Sequence, residues 1–342
     1  MQALLVKLTS MGDLIHALPA ITDAARHIPG LTFDWVIEKN FAEIATWHPA
    51  IRRIIPTSHR RWRRQWWQQT SLGEMRQFMK ALREQRYDKV IDGQNSLKSA
   101  LVMFMARGPR YGMDKKSSRE WIAHLAHQNA YFVNTHLHAI LRLRLLFAQV
   151  FGYDYQDSPP DFGINQYTFP ALPVEIAKPY VVFIHNASWS SKLWPESYWR
   201  TLAETTQQAG LSVVLPWGNA AEKQRALTIA KDLSHVHVLP FCSLSQLARV
   251  LIDSVGAVGG DTGLGHLAAA LKVPSISLYG STRKDLIGTL GEDQHHIVSP
   301  FLCINCHRKQ CNYQSQLHDE PLCMQAIFPQ QVWQQMQTIL TC

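Results

Sequence analysis

The feature that most constrains the fold is a twice-repeated alternation of short apolar runs with longer amphipathic segments. The first series runs from residue 3 to residue 107, and a second begins near residue 180 and continues to residue 278. Short buried runs that alternate with helices are typical of parallel sheets, because each parallel crossover needs a connecting element of helix length. The sequence therefore predicts an α/β chain made of two doubly wound halves.

The predicted elements give the chain its domain boundaries. Strands are predicted at 3–8, 31–37, 51–56, 88–92, 180–184, 211–215, 236–239, 255–258 and 274–278, and helices at 13–28, 40–47, 71–86, 95–107, 195–209, 219–231, 243–252 and 264–271. Prolines cluster between residues 159 and 179, which is typical of a linker. We expect domains at 1–165 and 166–328, a linker at about 158–179, and a C-terminal helix at 329–342 that can pack back on the first half.

Composition and charge narrow the classes of partner. With 46% apolar and 18% charged residues the chain should be compact, and a net charge of +8 favours an anionic partner. The apolar run from Ser99 to Ala106 is far short of the ~20 residues that cross a bilayer. The N-terminus has no apolar stretch of signal-peptide length. A cytoplasmic location is expected.

Asp13 follows the first predicted strand at the point where a helix should begin. In open α/β sheets, ligands bind outside the carboxyl ends of the strands. A carboxylate at a helix N-terminus is kept ionised by the helix dipole and could accept a proton. The same position suits a plain helix cap, and the sequence leaves both interpretations open.

The segment from Val255 to Ala270 contains a predicted strand, a glycine-dense turn and a helix of small residues. Glycines allow close approach of a ligand, and a helix N-terminus binds phosphate oxygens, so this segment predicts a phosphate site. Its polar side chains are those of Asp261, Thr262 and His266. An Asp-Thr-Gly turn without a ligand is the alternative.

A second polar segment, residues 185–196, follows the first strand of the second half. It should therefore bring Ser188 and Lys192 to the sheet edge that carries Asp261. An ammonium group there would offset the charge of a departing diphosphate. An ordinary surface lysine is the alternative.

A basic and aromatic stretch lies in the first half, with Trp62, Trp66 and Trp67 among its arginines. Those arginines are Arg52, Arg53, Arg60, Arg61, Arg63 and Arg64. Arginine binds phosphates and carboxylates in bidentate fashion, and tryptophan suits membrane interfaces. Nucleic acid, or solvent alone, could also face such a stretch.

Cysteines are concentrated near the C-terminus, where Cys303, Cys306, Cys311 and Cys323 have His307 and His318 nearby. The spacing is compatible with structural Zn²⁺, a local disulfide or packed thiols, and the sequence does not choose among them. The chain has no G-x-S-x-G, no P-loop lysine motif and no D-x-D pair. These absences argue against esterase, kinase and metal-dependent nucleotide-sugar chemistry.

Five motifs carry a resemblance to a known family. They are L-V-K-L-T-S-M-G-D-L-I-H-A-L-P-A at 5–20, D-W-V-I-E at 34–38, R-R-W-R at 60–63, Y-G-M-D at 111–114 and G-G-D-T-G-L-G-H-L-A-A at 259–269. With them the chain resembles, along its whole length, the ADP-heptose-dependent glycosyltransferases of lipopolysaccharide biosynthesis, and its opening is closest to members that add the first heptose. The resemblance implies a GT-B fold, in which two Rossmann-like domains face a cleft.

The resemblance also implies an activity and a set of roles. Heptose would pass from ADP-heptose to the Kdo residue of Kdo-lipid A, with inversion and without a metal or other cofactor. Asp13 would be the general base, and the donor would be held by Lys192, Ser188, Glu222, Asp261, Thr262, Gly263, Leu264 and His266. Arg60, Arg61, Arg63 and Arg64 would bind the acceptor. Ala187 stands where a second hydroxyl is expected, and Cys242 where a methionine near the adenine is expected.

The resemblance further implies a peripheral enzyme at the cytoplasmic face of the bacterial inner membrane, with neither nucleic acid nor an obligate protein partner. Two other classes remain as alternatives. Gly263, Gly265 and Ala268, followed by Asp285, match the dinucleotide fingerprint of a dehydrogenase. The arginine stretch alone would suit a nucleic-acid-binding protein.

Overall fold

The structure is a computed structural model that describes residues 1–65, 68–172, 174–313 and 320–340. Its contacts divide the chain into two compact units, Met1–Tyr167 and Thr168–Cys342. The division falls inside the proline-rich segment, two residues beyond the predicted boundary after residue 165. Each unit is of the α/β class, as the sequence predicts.

The described part of the first unit contains a six-stranded parallel sheet. Its strands are β1 (Gln2–Val6), β2 (Thr32–Glu38), β3 (Ile51–Thr57), β4 (Lys89–Asp92), β5 (Arg110–Met113) and β6 (Asn129–Tyr131). The strand order is β3-β2-β1-β4-β5-β6. The helices are α1 (Met11–Ile15), α2 (Leu18–His27), α3 (Ala42–Thr46), α4 (His59–Arg64), α5 (Gln69–Arg83), α6 (Leu97–Met105) and α7 (Ala139–Phe151), with 3-10 turns at Lys39–Phe41 and Trp121–Ala126.

The described part of the second unit repeats this plan. Its strands are β7 (Tyr180–Ile184), β8 (Ser212–Leu215), β9 (Val236–Val238), β10 (Gly256–Gly260), β11 (Ser275–Tyr279) and β12 (Gln294–Val298), in the order β12-β11-β10-β7-β8-β9. The helices are α8 (Glu196–Gln208), α9 (Ala220–Ala230), α10 (Leu244–Ile252), α11 (Gly263–Ala270), α12 (Lys284–Ile287), α13 (Leu322–Gln325) and α14 (Pro329–Leu340), with a 3-10 turn at Ser190–Lys192.

Counted within each unit, both sheets follow the Rossmann order 3-2-1-4-5-6. The central strands β1 and β7 are mostly apolar, because helices cover both faces of a parallel sheet. Residues 3–6 of β1 and all of β7 are buried. In this order the chain changes direction between the first and fourth strands, which places a switch point beside β1 and β4 and another beside β7 and β10.

Several elements differ from the sequence prediction. The helix expected at 13–28 is two helices, and Pro19, which cannot donate an intrahelical hydrogen bond, lies in the first turn of the second one. The strands β5, β6 and β12 and the helices α4, α7, α12 and α13 were not predicted. β5 and β6 are only four and three residues long and lack apolar alternation, so periodicity gives no signal for them.

The last helix, α14, packs against α8 and β11 of the second unit, and Val332 and Met336 join that unit's core. Packing of this helix on the first half, which the sequence left possible, stays a prediction. The apolar face of α14 is covered within the second unit. Over the described residues, no helix combines the length and the apolar character needed to span a bilayer.

Candidate functional site

The first switch point carries Asp13 on the first turn of α1. The backbone amide and the hydroxyl of Ser10 both donate to Asp13 Oδ2, at 2.8 and 3.0 Å. No described residue donates a hydrogen bond to Oδ1, and the side chain is only partly buried. Oδ2 therefore caps the helix, while Oδ1 remains available to accept a proton. The two interpretations of Asp13, as a helix cap and as a base, are compatible.

Lys7, directly after β1, is a buried charged residue that is not among the predicted site residues. Its ammonium group is buried and donates to the carbonyl of Gly93 at 2.8 Å. Burial lowers the pKa of Lys7, while the charges of Asp13 and Asp92 oppose that shift. The indole Nε1 of Trp35, in the D-W-V-I-E motif, donates to the Lys7 carbonyl at 3.0 Å. The sequence signal that could have indicated this role is the position of a lysine directly at the carboxyl end of the first strand.

Asp92, at the end of β4, stabilises this edge of the sheet through hydrogen bonds to both of its carboxylate oxygens. Its Oδ1 accepts from the amides of Gln94 and Asn95 at 2.8 and 2.7 Å. Its Oδ2 lies 3.0 Å from the hydroxyl of Ser99 and 3.1 Å from Nε2 of His127. His127 occupies the space beside Gly112 of the Y-G-M-D motif, where a Cβ atom would lie 2.3 Å from the ring.

The second switch point brings together Lys192, Asp261 and His266, as the sequence predicts. Lys192 Nζ donates to Asp261 Oδ2 at 2.6 Å and to its carbonyl at 3.1 Å. His266 Nε2 lies 3.3 Å from Asp261 Oδ1. Burial alone would raise the pKa of Asp261, but the hydrogen bond from His266 and the charge of Lys192 outweigh it and hold that pKa well below its usual range.

The N-terminus of α11 adjoins this triad. Thr262 is the N-cap, and its hydroxyl accepts from the amide of Gly265 at 3.3 Å. The first amides of a helix have no intrahelical acceptor, so those of Gly263 and Leu264 can serve a bound anion. Gly260 keeps this turn close, because a Cβ atom there would lie 3.1 Å from the Lys192 carbonyl.

The remaining predicted donor residues lie at the same carboxyl edge of the second sheet. Ser188 is exposed, and Ala187 is half-buried. Glu222 Oε2 accepts from the amide of Gly218 at 2.7 Å, which fixes the loop after β8. Cys242 is buried, its thiol donates to the Pro240 carbonyl, and burial raises its pKa.

Two aromatic residues at this edge were missed. Trp217, after β8, donates from Nε1 to the Leu239 carbonyl at 2.6 Å. Phe241, after β9, is 67% exposed and lies 5.6 Å from Trp217 between ring centroids. Only the fold reveals the pair, because the sequence separates them by a whole helix and strand.

The arginine stretch does not behave as one surface. Arg52 and Arg53 both pair with Asp34, which is 1% exposed, at 2.8 and 3.0 Å. Trp62 is buried, and its indole donates to Glu74 at 2.9 Å. These three residues are therefore structural, which corrects the view of the stretch as a continuous binding face.

Of the four arginines assigned to the acceptor, Arg64 is exposed and Arg61 forms an ion pair with Glu74. All four belong to α4. The side chains of Arg60 and Arg63, together with Trp66 and Trp67, lie outside the described residues.

Four cysteines line one cavity of about 330 Å³ in the second unit. Cys303, Cys306, Cys311 and Cys323 are free thiols, and burial together with the neighbouring thiols raises the pKa of Cys323 to about 11. Among the described residues, no three His, Cys, Asp or Glu side chains are placed to hold a metal ion. Cys323 is buried, Cys303 and Cys311 are half-buried and Cys306 is exposed, while His318 and Cys342 lie outside the described residues.

Comparisons with known proteins add to this geometry. The sequence profile of glycosyltransferase family 9 (heptosyltransferase) matches residues 75–317. Lipopolysaccharide heptosyltransferase 1 of Pseudomonas aeruginosa is 45% identical, with 99% of this chain and 98% of the relative aligned. The chain belongs to glycosyltransferase family 9. The heptosyltransferase of Escherichia coli K12 with the same name is 43% identical over 86% of this chain and 92% of its own.

Solved structures of the family agree with the fold. The structure described as E. coli heptosyltransferase WaaC with ADP superposes with a TM-score of 0.86 and 36% identity, covering 99% of this chain and 100% of that one. A second, with ADP-2-deoxy-2-fluoro heptose, has a TM-score of 0.84. The predicted GT-B class of fold and the assignment to the heptosyltransferases are thereby confirmed.

The structure removes the observations that supported the two alternatives, a dehydrogenase and a nucleic-acid-binding protein. Gly263, Gly265 and Ala268 lie within α11, after the fourth strand of the unit, whereas the dinucleotide fingerprint follows a first strand. Arg52 and Arg53, which supported nucleic-acid binding, both pair with Asp34, and Arg53 also pairs with Glu84.

Proposed function

We propose that the chain transfers L-glycero-D-manno-heptose from ADP-heptose to the Kdo residue of Kdo-lipid A in lipopolysaccharide inner-core synthesis, with inversion and without a metal. The observation that carries this proposal is the triad of Lys192, Asp261 and His266 beside the N-terminus of α11. Two relatives of more than 40% identity bear the name lipopolysaccharide heptosyltransferase 1, and a structure 36% identical in sequence was solved with ADP.

The donor would occupy the second switch point. Lys192 and the amides of Gly263 and Leu264, with the Thr262 hydroxyl, would bind the diphosphate, because a cation and a helix N-terminus both attract phosphate oxygens. Asp261 and His266 would bind hydroxyl groups of the heptose. Ser188 would bind a phosphate oxygen, and Glu222 would bind the ribose.

Asp13 would act on the acceptor. In the proposed step, an acceptor hydroxyl oxygen of Kdo attacks the anomeric carbon and its proton passes to Asp13 Oδ1. The bond between the anomeric carbon and the diphosphate oxygen breaks, and ADP leaves with the electron pair. Attack from the side opposite the leaving group inverts the anomeric configuration, as in the inverting glycosidases.

Lys192 would stabilise the leaving group. Negative charge grows on the diphosphate as the bond breaks, and a fixed ammonium group favours that transition state. Its present partner, Asp261, would release it on donor binding and turn to the sugar. This arrangement assigns to a lysine and a helix N-terminus the role that a D-x-D-bound cation has in other transferases.

The acceptor would be bound by Arg60, Arg61, Arg63 and Arg64 on α4, because lipid A phosphates and Kdo carboxylates are anionic. Because this acceptor carries a lipid anchor, the enzyme would act as a peripheral protein at the cytoplasmic face of the inner membrane.

The test is a mass-spectrometric assay of purified protein with ADP-heptose and Kdo-lipid A. A product heavier by one heptose is expected, with inverted anomeric configuration by NMR and with turnover unchanged by EDTA. Transfer from another nucleotide sugar at equal rate, or retention of configuration, would contradict the proposal. Loss of turnover in EDTA that Mg²⁺ alone restores would contradict its metal independence.

A further inference from the structure

An apolar patch is exposed on the first unit, apart from the residues assigned to either substrate. Along α6, Leu97, Leu101 and Phe104 are 50%, 56% and 55% exposed. Their spacing places them on one face of the helix, while Ala100, Val102 and Met103 on the other side join the core. A helix that is apolar all round is normally buried, so an exposed apolar face needs an explanation.

The 3-10 helix Trp121–Ala126 packs beside α6 and extends the exposed surface. Trp121, Ile122 and Leu125 are 58%, 40% and 60% exposed, while Ala123 and Ala126 are fully buried. Residues three apart superimpose in a 3-10 helix, which gives this segment an inner and an outer side. We call the six exposed side chains on the two helices the α6 patch.

Positive charge surrounds the α6 patch. Lys115 Nζ lies 5.5 Å from the ring centroid of Trp121, and Arg110 Cζ lies 5.3 Å from that of Phe104. Lys98, Arg107, Lys116 and Arg119 are exposed in the same segment. Of the two acids there, Asp114 caps the turn by accepting from the amides of Lys116 and Ser117, and Glu120 accepts from the amide of Leu97.

The α6 patch begins at the sheet edge that holds the proposed base. Gln94 Oε1 accepts from the amides of Leu8 and Thr9, at 3.1 and 3.2 Å, just before α1. The Glu120 amide donates to the Asn95 carbonyl at 3.2 Å and so ties the 3-10 helix to the same turn. A surface bound by the α6 patch would therefore lie beside Asp13.

We infer that the α6 patch docks the first unit onto an anionic lipid surface. Leucine, isoleucine and phenylalanine would enter the acyl boundary, and the tryptophan would lie at headgroup depth. Lysine and arginine around them would bind lipid phosphates, which complements the charge of the segment. This inference rests on the proposed function, because an enzyme with a lipid-anchored acceptor gains from such docking.

Vesicle binding tests the inference without relying on catalysis. Full-length protein is sedimented with phosphatidylcholine vesicles that contain 30% or no phosphatidylglycerol, at low and high salt. A patch variant carries L101S, F104S and L125S, and a charge variant carries K98Q, K115Q and K116Q. The matched control carries L227Q and L302Q, which change two exposed leucines of the second unit.

Wild type and the control should bind the anionic vesicles, and high salt should weaken that binding. The patch variant should lose tenfold or more in affinity, and the charge variant should lose affinity for anionic vesicles only. Equal binding by wild type and the patch variant would overturn the inference. So would a patch variant that changes the oligomeric state instead of vesicle binding, because the patch would then be a contact between copies.

A water-soluble, de-acylated acceptor separates this inference from the proposed function. The patch variant should retain wild-type turnover on that acceptor and lose turnover on Kdo-lipid A embedded in vesicles. If wild type binds vesicles through the patch but transfers no heptose to either acceptor, the proposed function fails while the docking inference stands.

Discussion

In the first unit, the lysine directly after the first strand donates to a backbone carbonyl, whereas in the second unit a lysine in the 3-10 turn beyond the first strand also pairs with a carboxylate. Lys7 donates to Gly93, and Asp92 at the end of β4 is saturated by His127, Ser99 and two amides. Lys192 donates to Asp261, just after β10, with His266 on the other side of that carboxylate.

The same strand order thus gives two different uses of a switch point. In the first unit, the lysine and the fourth-strand aspartate stabilise the edge, and a separate carboxylate, Asp13, keeps Oδ1 without a donor among the described residues. In the second unit, Lys192 and the aspartate that follows the fourth strand, Asp261, are the groups that we propose contact the ligand. The difference teaches that topology places polar side chains at the switch point, while local hydrogen bonding decides which of them remain available for chemistry.

The sharpest test of this comparison is Asp13→Asn. The amide can still accept from Ser10, so the fold and ADP-heptose binding should persist, but kcat should fall by about 10²- to 10⁴-fold because the general base is lost. Steady-state kinetics and calorimetry measure the two effects. Ser10→Ala, which removes one hydrogen bond to Asp13 and keeps the carboxylate, is the matched control. Near-normal turnover of Asp13→Asn would leave Asp13 as a helix cap only.

The next effect concerns Lys192. In Lys192→Ala, kcat should fall by about 10²- to 10³-fold and donor binding should weaken, because the leaving group loses a fixed positive charge. Thr262→Ala should cost much less, since the backbone amides of α11 remain. Lys272→Ala, at an exposed ion pair with Glu292, controls for loss of surface charge. Small and equal losses in all three variants would place the diphosphate elsewhere.

Gly112→Ala tests whether the hydrogen bond between His127 and Asp92 stabilises the first switch point. The new Cβ atom would lie 2.3 Å from the His127 ring, so the ring must move and the Asp92 hydrogen bond must change. We expect a loss of about 1–3 kcal/mol in the free energy of unfolding, as for other overpacked sites. Denaturant unfolding measures it. Gly73→Ala, on α5 with no atom within 4 Å of the added Cβ, should not destabilise the chain.

The smallest effect is a pH dependence in the second unit. The pKa of Asp261 is held below its usual value of 3.8, so its contribution to stability is complete above that value and disappears as pH falls through the lower folded pKa. The difference in unfolding free energy between wild type and Asp261→Asn should therefore shrink between pH 5 and pH 2.5. A constant difference over that range would mean that the pairing with Lys192 and His266 does not stabilise the fold. Asp285→Asn, at an exposed position, serves as the control.

The sequence by itself determined the α/β class and the two series of strands and helices, because buried parallel strands and amphipathic helices have different periodicities. It also determined that Asp13, Lys192 and Asp261 lie in the segments that follow strands, at the carboxyl edges of the two sheets. Pattern and motif were sufficient there because strand, turn and helix are contiguous in the chain.

Tertiary structure alone decided which polar groups meet. Asp34 pairs with Arg52 and Arg53 across neighbouring strands, Trp62 is buried, and His127 contacts Asp92 from 35 residues along the chain. The exposed face of α6 could not be predicted either, because an apolar helix is expected to be buried unless its neighbours are known. These outcomes depend on contacts between segments far apart in sequence, and no local pattern records such contacts.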